Sequence, residues 1–466
     1  MFPTSYFGII TIQLWEIIAL PFYLLLIYFI AKRVQRKRIE QNPLYSFYVW
    51  GLFAKIAGGL ALALIYMYNW SGGDTTSYFE SCMAMKNILL TSPVDWFVNE
   101  FGKNSQEHFS LFSYDLGYPL QYMYSDPKTY MVIRLVNPLL LFSFSSYMIT
   151  TVLMAWFTYA GIWRLFLVFS SYYPNRKNLF ALAILFFPSV LFWGSGILKD
   201  SITLSCTGWV VYCIYKVFVI KEKRIRYSII LGIALFIIFS IKPYIIFALI
   251  PGSIMWISSN RIATIKNAAF KFLVIPVILI GSIGGGTFIL SFFGESMGKF
   301  SLDKITTTLV VTQNDLKQSY YHGHSFDIGL SDLSASGLLK KAPAAILAGL
   351  YRPFLWESGN AVMFIAGLEN TLIVILTISS IFRTSLPAFF RKLLQEPLLF
   401  FCLSFSIFFA FSVGISTSNF GALVRFKIAY LPFFLCSLFI LMRRKDEVVD
   451  LSTDEMRRKI AKSFSN

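Results

Sequence analysis

Apolar runs of roughly 20 residues, bounded by charged or turn-forming residues, recur along this chain and limit what it can fold into. A hydrocarbon layer about 30 Å thick is crossed by roughly 20 residues of helix, and within it each backbone N–H and C=O must be satisfied inside the segment. About eleven such runs emerge, at residues 8–31, 46–69, 142–170, 179–198, 201–220, 227–241, 243–257, 268–293, 361–382, 397–416 and 428–442. The sixth and seventh are short and separated only by Lys242, so they tilt, thin the bilayer locally or form a re-entrant pair. The expectation is an all-α integral membrane protein of about eleven transmembrane helices.

Composition removes the competing classes. With 56% hydrophobic and 14% charged residues, the chain falls well below the roughly 25% charge of a soluble domain. Its 48 Phe and 25 Tyr exclude a disordered chain, and 5 Cys are too few for a disulfide scaffold. A net charge of +17 would suit a nucleic-acid binder, but in a multispanning protein Lys and Arg collect in cytoplasmic loops and fix orientation. No nucleic-acid partner is therefore expected.

Every second short connection is basic: Lys32 to Arg38, Arg176 with Lys177, Lys221 to Arg226, Arg261 with Lys266, Arg383 with Arg391 and Lys392, and Arg443 to Lys445. These share one side if the N-terminus is outside and the C-terminus cytoplasmic. No basic residue precedes the first run and no small-residue cleavage site follows it, so it reads as a retained anchor. Residues 1–45 are then an anchor helix with a basic cytoplasmic loop, 46–442 the multispanning domain, and 443–466 a cytoplasmic tail. Two outward loops are long, at about 70–141 and 293–360. The first carries Asp74, Glu80, Asp95, Glu100, Glu107, Asp115 and Asp126, an amphipathic stretch at Ser77 to Leu90, and aromatic residues from Trp96 to Tyr118 suited to the membrane surface.

The positive-inside pattern leaves some cations unexplained. Lys199 beside Asp200, Lys242 in Ile241-Lys-Pro-Tyr244, Arg352 before Pro353, and Arg425 with Lys427 all fall toward the outer face. Each has a plain reading, in which the side chain snorkels to the headgroups. Taken together they form a set that would hold phosphate, Lys as a point charge and Arg through its planar fork, and so an outward pocket for an anionic, lipid-linked substrate. Asp74, in Ser71-Gly-Gly-Asp-Thr-Thr-Ser-Tyr78, follows the second run directly. It is either a helix N-cap or a general base on an acceptor hydroxyl, and the two are compatible.

On these residues the chain resembles the membrane glycosyltransferases of fold class C, which take sugars from polyprenyl-phosphate carriers. An acid just after a span in the first large outer loop carries the likeness. The segments Lys199-Asp200, Arg352-Pro-Phe-Leu-Trp-Glu357 and Asn419-Phe-Gly-Ala-Leu-Val-Arg425 also resemble bacterial membrane proteins of surface-polysaccharide assembly, polymerases included, over about residues 46–442. The pattern departs from that family in its additional N-terminal span and in lacking a paired Asp-Glu, since Gly73 precedes Asp74 and Thr75 follows it.

The resemblance implies a base at Asp74, with Lys199, Lys242, Arg352 and Arg425 holding the lipid phosphate and inversion at the anomeric carbon. Asp200 and Glu357 would orient the cations or bind a divalent ion, Asn419 would support the site, and Tyr244 and Trp356 would stack on sugar or sit in the interfacial aromatic belt. The expected partners are membrane lipid, a polyprenyl-phosphate-linked sugar and a glycan or lipid-linked acceptor, at a bacterial plasma membrane. A repeat-unit polymerase has the same electrostatic needs. A transporter would draw on Lys55, Glu369 and Asn370 within the runs, although no inverted repeat accompanies them, and a lipid-linked oligosaccharide flippase would want cations along its whole cavity, whereas here they sit at one end.

Three other signals carry less. His322, His324 and Asp327 match no zinc spacing. Gly281-Ser-Ile-Gly-Gly-Gly286 lacks the Lys-Ser/Thr ending of a phosphate loop, and the cysteines read as small core residues.

Overall fold

The computed structural model describes residues 10–263, 310–316, 325–329, 332 and 334–442, with positions 273, 276, 277 and 281. Among these the only pairing outside helices is two isolated bridges, Ser113 with Gly117 and Ser325 with Asn419. Among the described residues seven helices are long and apolar enough to cross a membrane, or eight if one bent pair counts as a span.

The difference from about eleven runs has local causes. The run at 179–198 is not one helix: Lys177–Ala181 passes into a wider π turn at Leu182–Phe186, and Pro188 then starts a new helix, Pro188–Trp193. A proline cannot donate to the preceding turn and its ring clashes with it, so the run divides there. The run at 243–257 is helical but has a shorter apolar portion, Tyr244–Ser259. The last run pairs the helix Leu431–Leu441 with Phe420–Lys427 across a 62° bend. The run at 268–293 and the tail at 443–466 lie outside the described residues, as do Lys266, Arg443 to Lys445, His322, His324 and the glycines after Gly281.

The chain divides into two compact units, Met1–Lys242 and Pro243–Val449. In the first, α1 (Leu14–Ile39) and α2 (Tyr48–Tyr68) lead to the segment expected as an outer loop, which is largely helical: α3 (Asp74–Thr91), α4 (Pro93–Phe101) and α5 (Pro127–Phe142). Then come α6 (Tyr147–Tyr172), α7 (Lys199–Ile214) and α8 (Arg224–Ile241). The core lies between α6, α7 and α2, where Trp163, Phe166 and Tyr159 are sealed from solvent. By contrast α1 leaves Leu14, Ile17, Phe22, Leu25 and Phe29 exposed, the pattern of a helix that faces lipid.

The second unit holds α9 (Tyr244–Ala263), α10 (Ala335–Tyr351), α11 (Ala361–Arg383), α12 (Leu386–Gln395), α13 (Pro397–Ser416), α14 (Phe420–Lys427) and α15 (Leu431–Leu441). Here α13 is central, packed by α9, α10 and α15. The position of α10 departs from the sequence reading, which placed residues 335–351 in an outward loop. Small residues explain it. A Cβ added to Gly414 of α13 would lie 2.0 Å from the Ala345 carbonyl oxygen, and one on Gly349 of α10 2.2 Å from that of Ala410. The pairs Ala345/Gly349 and Ala410/Gly414 are thus reciprocal small-residue steps that let two backbones touch. Gly161 of α6 and Gly208 of α7 make the same crossing in the first unit.

Candidate functional site

The starts of α3, α5 and α7 come together in the first unit. The turn before α3 is built by glycine: Gly72 and Gly73 have φ of 114° and 137°, and a Cβ on Gly73 would fall 2.7 Å from the Tyr66 ring. Gly73 is the N-cap, so Asp74 is the first helical residue and not the cap. Capping falls to Thr76, whose hydroxyl accepts from the Gly73 N–H at 3.0 Å and donates to the Gly73 carbonyl at 2.8 Å. Asp74 is half-buried, and its charge, like that of Glu80, acts on the Tyr122 hydroxyl. Burial is the main cause that raises the Tyr122 pKa, and the two carboxylates add to it. Burial likewise holds Glu80 above the usual carboxylate range.

The start of α7 adjoins that of α3, since a Cβ on Gly196 would sit 3.7 Å from the Thr75 methyl. Lys199 opens α7 and reaches α5, donating to the Thr129 hydroxyl at 2.6 Å with the Asp126 carboxylate 3.8 Å away. Asp126 caps α5 by accepting from the Lys128 N–H at 3.1 Å and from the Thr129 hydroxyl at 2.7 Å. The next residue, Asp200, is 2% exposed and pairs at 2.5 Å with Lys242, which ends α8. Asp126 and Asp200 thus pair with the two lysines, while Asp74 and Glu80 act on Tyr122. Both lysines named from sequence face an acid, and Lys199 is the looser of the two, with its side chain 17% exposed against 10% for Lys242.

Sequence reasoning singled out Asp74, Lys199, Asp200 and Lys242, and this unit brings them to one end. It did not single out Asp126, Thr129, Glu80 or Tyr122. Asp126 before Pro127 carried a signal, an N-cap residue followed by proline at the first helical position, while Tyr122 and Glu80 carried none.

Arg352 and Arg425 belong to the second unit. Arg352 is clasped by Glu357, its Nε 3.0 and 3.2 Å from the two carboxylate oxygens and its Nη2 also on Oε1. The guanidinium lies over the rings of Phe326 and Phe420, at 4.7 and 5.2 Å. Glu357 also accepts from the Phe354 N–H at 2.9 Å, so its carboxylate is an arginine partner and a turn-former. Trp356 is 81% exposed and stacks on Phe354, with centroids 4.8 Å apart. Tyr244 packs on Phe409, and Arg425 is half-buried on α14. Asn419 caps α14 through its Oδ1, leaving a buried Nδ2 that has no hydrogen-bond partner.

Lys427, Asn370 and Lys55 fasten backbone. Lys427, 2% exposed, donates at 2.8 Å both to the Arg352 carbonyl and to Asn370 Oδ1, and Asn370 donates to the Pro353 carbonyl at 2.8 Å. Lys55 of α2 donates to the Gly194 carbonyl where the helix Pro188–Trp193 ends. The cavity beside it, about 10 Å³, holds at most about one water. Such locks leave less reason to see a proton route in these side chains. Among the described residues no group of three or more His, Cys, Asp or Glu could hold a metal ion.

The chain matches no protein-family model, no curated protein and no solved structure.

Proposed function

We propose that this protein is a membrane glycosyltransferase that moves a sugar from a polyprenyl-phosphate donor to a glycan or lipid-linked acceptor. The observation that carries this reading is the adjacency of the starts of α3 and α7, which bear Asp74 on its glycine turn and the Lys199–Thr129–Asp126 chain. Asp74 takes the proton of the acceptor hydroxyl, whose oxygen then bonds the anomeric carbon. The bond from that carbon to the phosphate oxygen breaks on the opposite side, its electron pair leaves with the lipid phosphate, and the anomeric centre inverts. Lys199 is the cation that follows the leaving phosphate, because it is the looser of the two. Lys242, locked on Asp200, holds the frame in which Lys199 moves. The groups assigned to these steps belong to the first unit; Arg352, Arg425 and Trp356 belong to the second.

A repeat-unit polymerase would use the same groups on a longer donor. The reading places the reaction at the outer face of a bacterial plasma membrane, with the N-terminus outside and the C-terminus cytoplasmic, as the basic connections suggest. The test is sugar transfer from a radiolabelled polyprenyl-phosphate sugar by purified protein. Asp74→Asn is expected to fall at least 100-fold while keeping its melting temperature, and Lys199→Met to lose about 10-fold or more. Full activity in Asp74→Asn overturns the base assignment.

A further inference from the structure

Helix α12 presents an apolar face that the protein covers only in part: Leu386 and Phe390 are exposed, and Phe389, Leu393 and Leu394 are half-buried. Its apolar residues Leu386, Phe389, Phe390, Leu393 and Leu394 follow the i, i+3, i+4, i+7, i+8 rhythm of an amphipathic helix. In a helix packed on a protein core that stripe would be sealed, yet none of the ten residues of α12 is buried, and Leu386 is 70% exposed. Chain geometry says what lies beside it. The helix follows α11 and precedes α13, both of membrane-crossing length, so the dozen or so residues between them stay at a membrane surface.

The helix is held there by its polar edge. The Lys392 ammonium donates to the Leu441 carbonyl at 2.7 Å, and the Thr384 hydroxyl, just before α12, donates to the same oxygen at 3.0 Å. Lys392 is thereby committed to the end of α15, whereas Arg383 and Arg391 remain exposed. We propose that α12 is a docking surface for anionic phospholipid, its apolar stripe entering the acyl region and Arg383 and Arg391 taking headgroup phosphate. Charge selects the occupant. Helix α4 has an exposed apolar stripe of its own, Val94, Phe97 and Phe101, but carries Asp95 and Glu100 and no Lys or Arg. It lacks the means to prefer an anionic lipid. The proposal does not depend on the sugar-transfer reading.

The full chain is placed in nanodiscs of phosphatidylcholine with increasing phosphatidylglycerol, bearing an environment-sensitive fluorophore at Phe390→Cys. The label should be quenched by lipids carrying a nitroxide in the acyl chain, and its emission should move to the blue as phosphatidylglycerol rises. In Arg383→Gln/Arg391→Gln that response should require on the order of 20-fold more anionic lipid, since each cation near an anionic surface contributes about fivefold. Arg383→Lys/Arg391→Lys keeps the charge and should keep most of the response, and a label at Phe97→Cys on α4 should ignore phosphatidylglycerol. Any of three results overturns the proposal: indifference to anionic lipid, an equal loss in the lysine variant, or shielding that depends on a second protein copy per disc.

Discussion

Glu100 carries the most informative single titration in the described loop segment. It stands on α4 opposite Arg134 and Asn137 of α5, and burial raises its pKa to about 7 although those two neighbours pull it down. An ordinary glutamate titrates near 4.3. Between those two values the folded chain holds this proton more tightly than the unfolded chain, so stability falls as pH rises from about 4.3 to about 7 and stays reduced above it. Glu100→Gln has no charge to desolvate, while Arg134 keeps its bonds to the carbonyls of Asn99, at 2.9 Å, and Gly102, at 2.6 Å. The variant is expected to melt several degrees above the parent protein at pH 8 and close to it at pH 5. A gain of equal size at both values would mean that ionisation has no part in it. The cations show the same dependence on surroundings. Sequence marked Lys199, Lys242, Arg352 and Arg425 alike, but Lys199, Lys242 and Arg352 each meet a different carboxylate, and Lys427, a minor partner in the sequence reading, proves to hold the Arg352–Pro353 segment. A sequence does not say which acid a lysine will meet.

At the scale of elements, helices were legible wherever an apolar run was long and unbroken. The runs at 46–69, 142–170, 201–220, 361–382 and 397–416 each correspond to a helix of crossing length. Legibility failed where backbone chemistry interrupts hydrophobicity, as at Pro188, or where a helix is too mixed to stand out. Helix α10 is of the second kind: Lys340, Lys341 and Pro343 disguise it, yet it packs along α13 because Ala345 and Gly349 are small. Gly414→Val places a branched side chain against the Ala345 carbonyl, so the helices must part. The expected loss is at or above the top of the roughly 1–3 kcal/mol usual for overpacking, visible as a lower midpoint of thermal unfolding in detergent. Gly232, whose added Cβ meets nothing within 4 Å, provides the comparison, and Gly232→Ala should leave the midpoint unchanged or slightly raised, since alanine is the better helix former. Equal effects of the two substitutions would remove the close-approach argument.

For the whole molecule, the basic connections lead to one topology, which labelling can check. Single cysteines at Lys199 and Tyr114 are expected to react with an impermeant maleimide from outside intact cells, and one at Arg224 only after permeabilisation. The native cysteines among the described residues are all buried and should stay silent. Labelling of Arg224→Cys from outside would reverse the orientation and move the proposed reaction to the other leaflet. The sequence by itself determined that the chain is helical and membrane-embedded, because in hydrocarbon a backbone must satisfy its own hydrogen bonds and a continuous apolar run of about 20 residues does so as a helix. It also located the acid at Asp74 and the anomalous cations, because charge beside an apolar run is conspicuous. Only the tertiary structure decided which of those charges meet, which are spent on carboxylates or carbonyls, and which amphipathic face stays open. Those outcomes depend on contacts between residues far apart in the chain, such as Asp126 with Lys199 and Asp200 with Lys242, and on backbone approaches that small residues permit without announcing their partner.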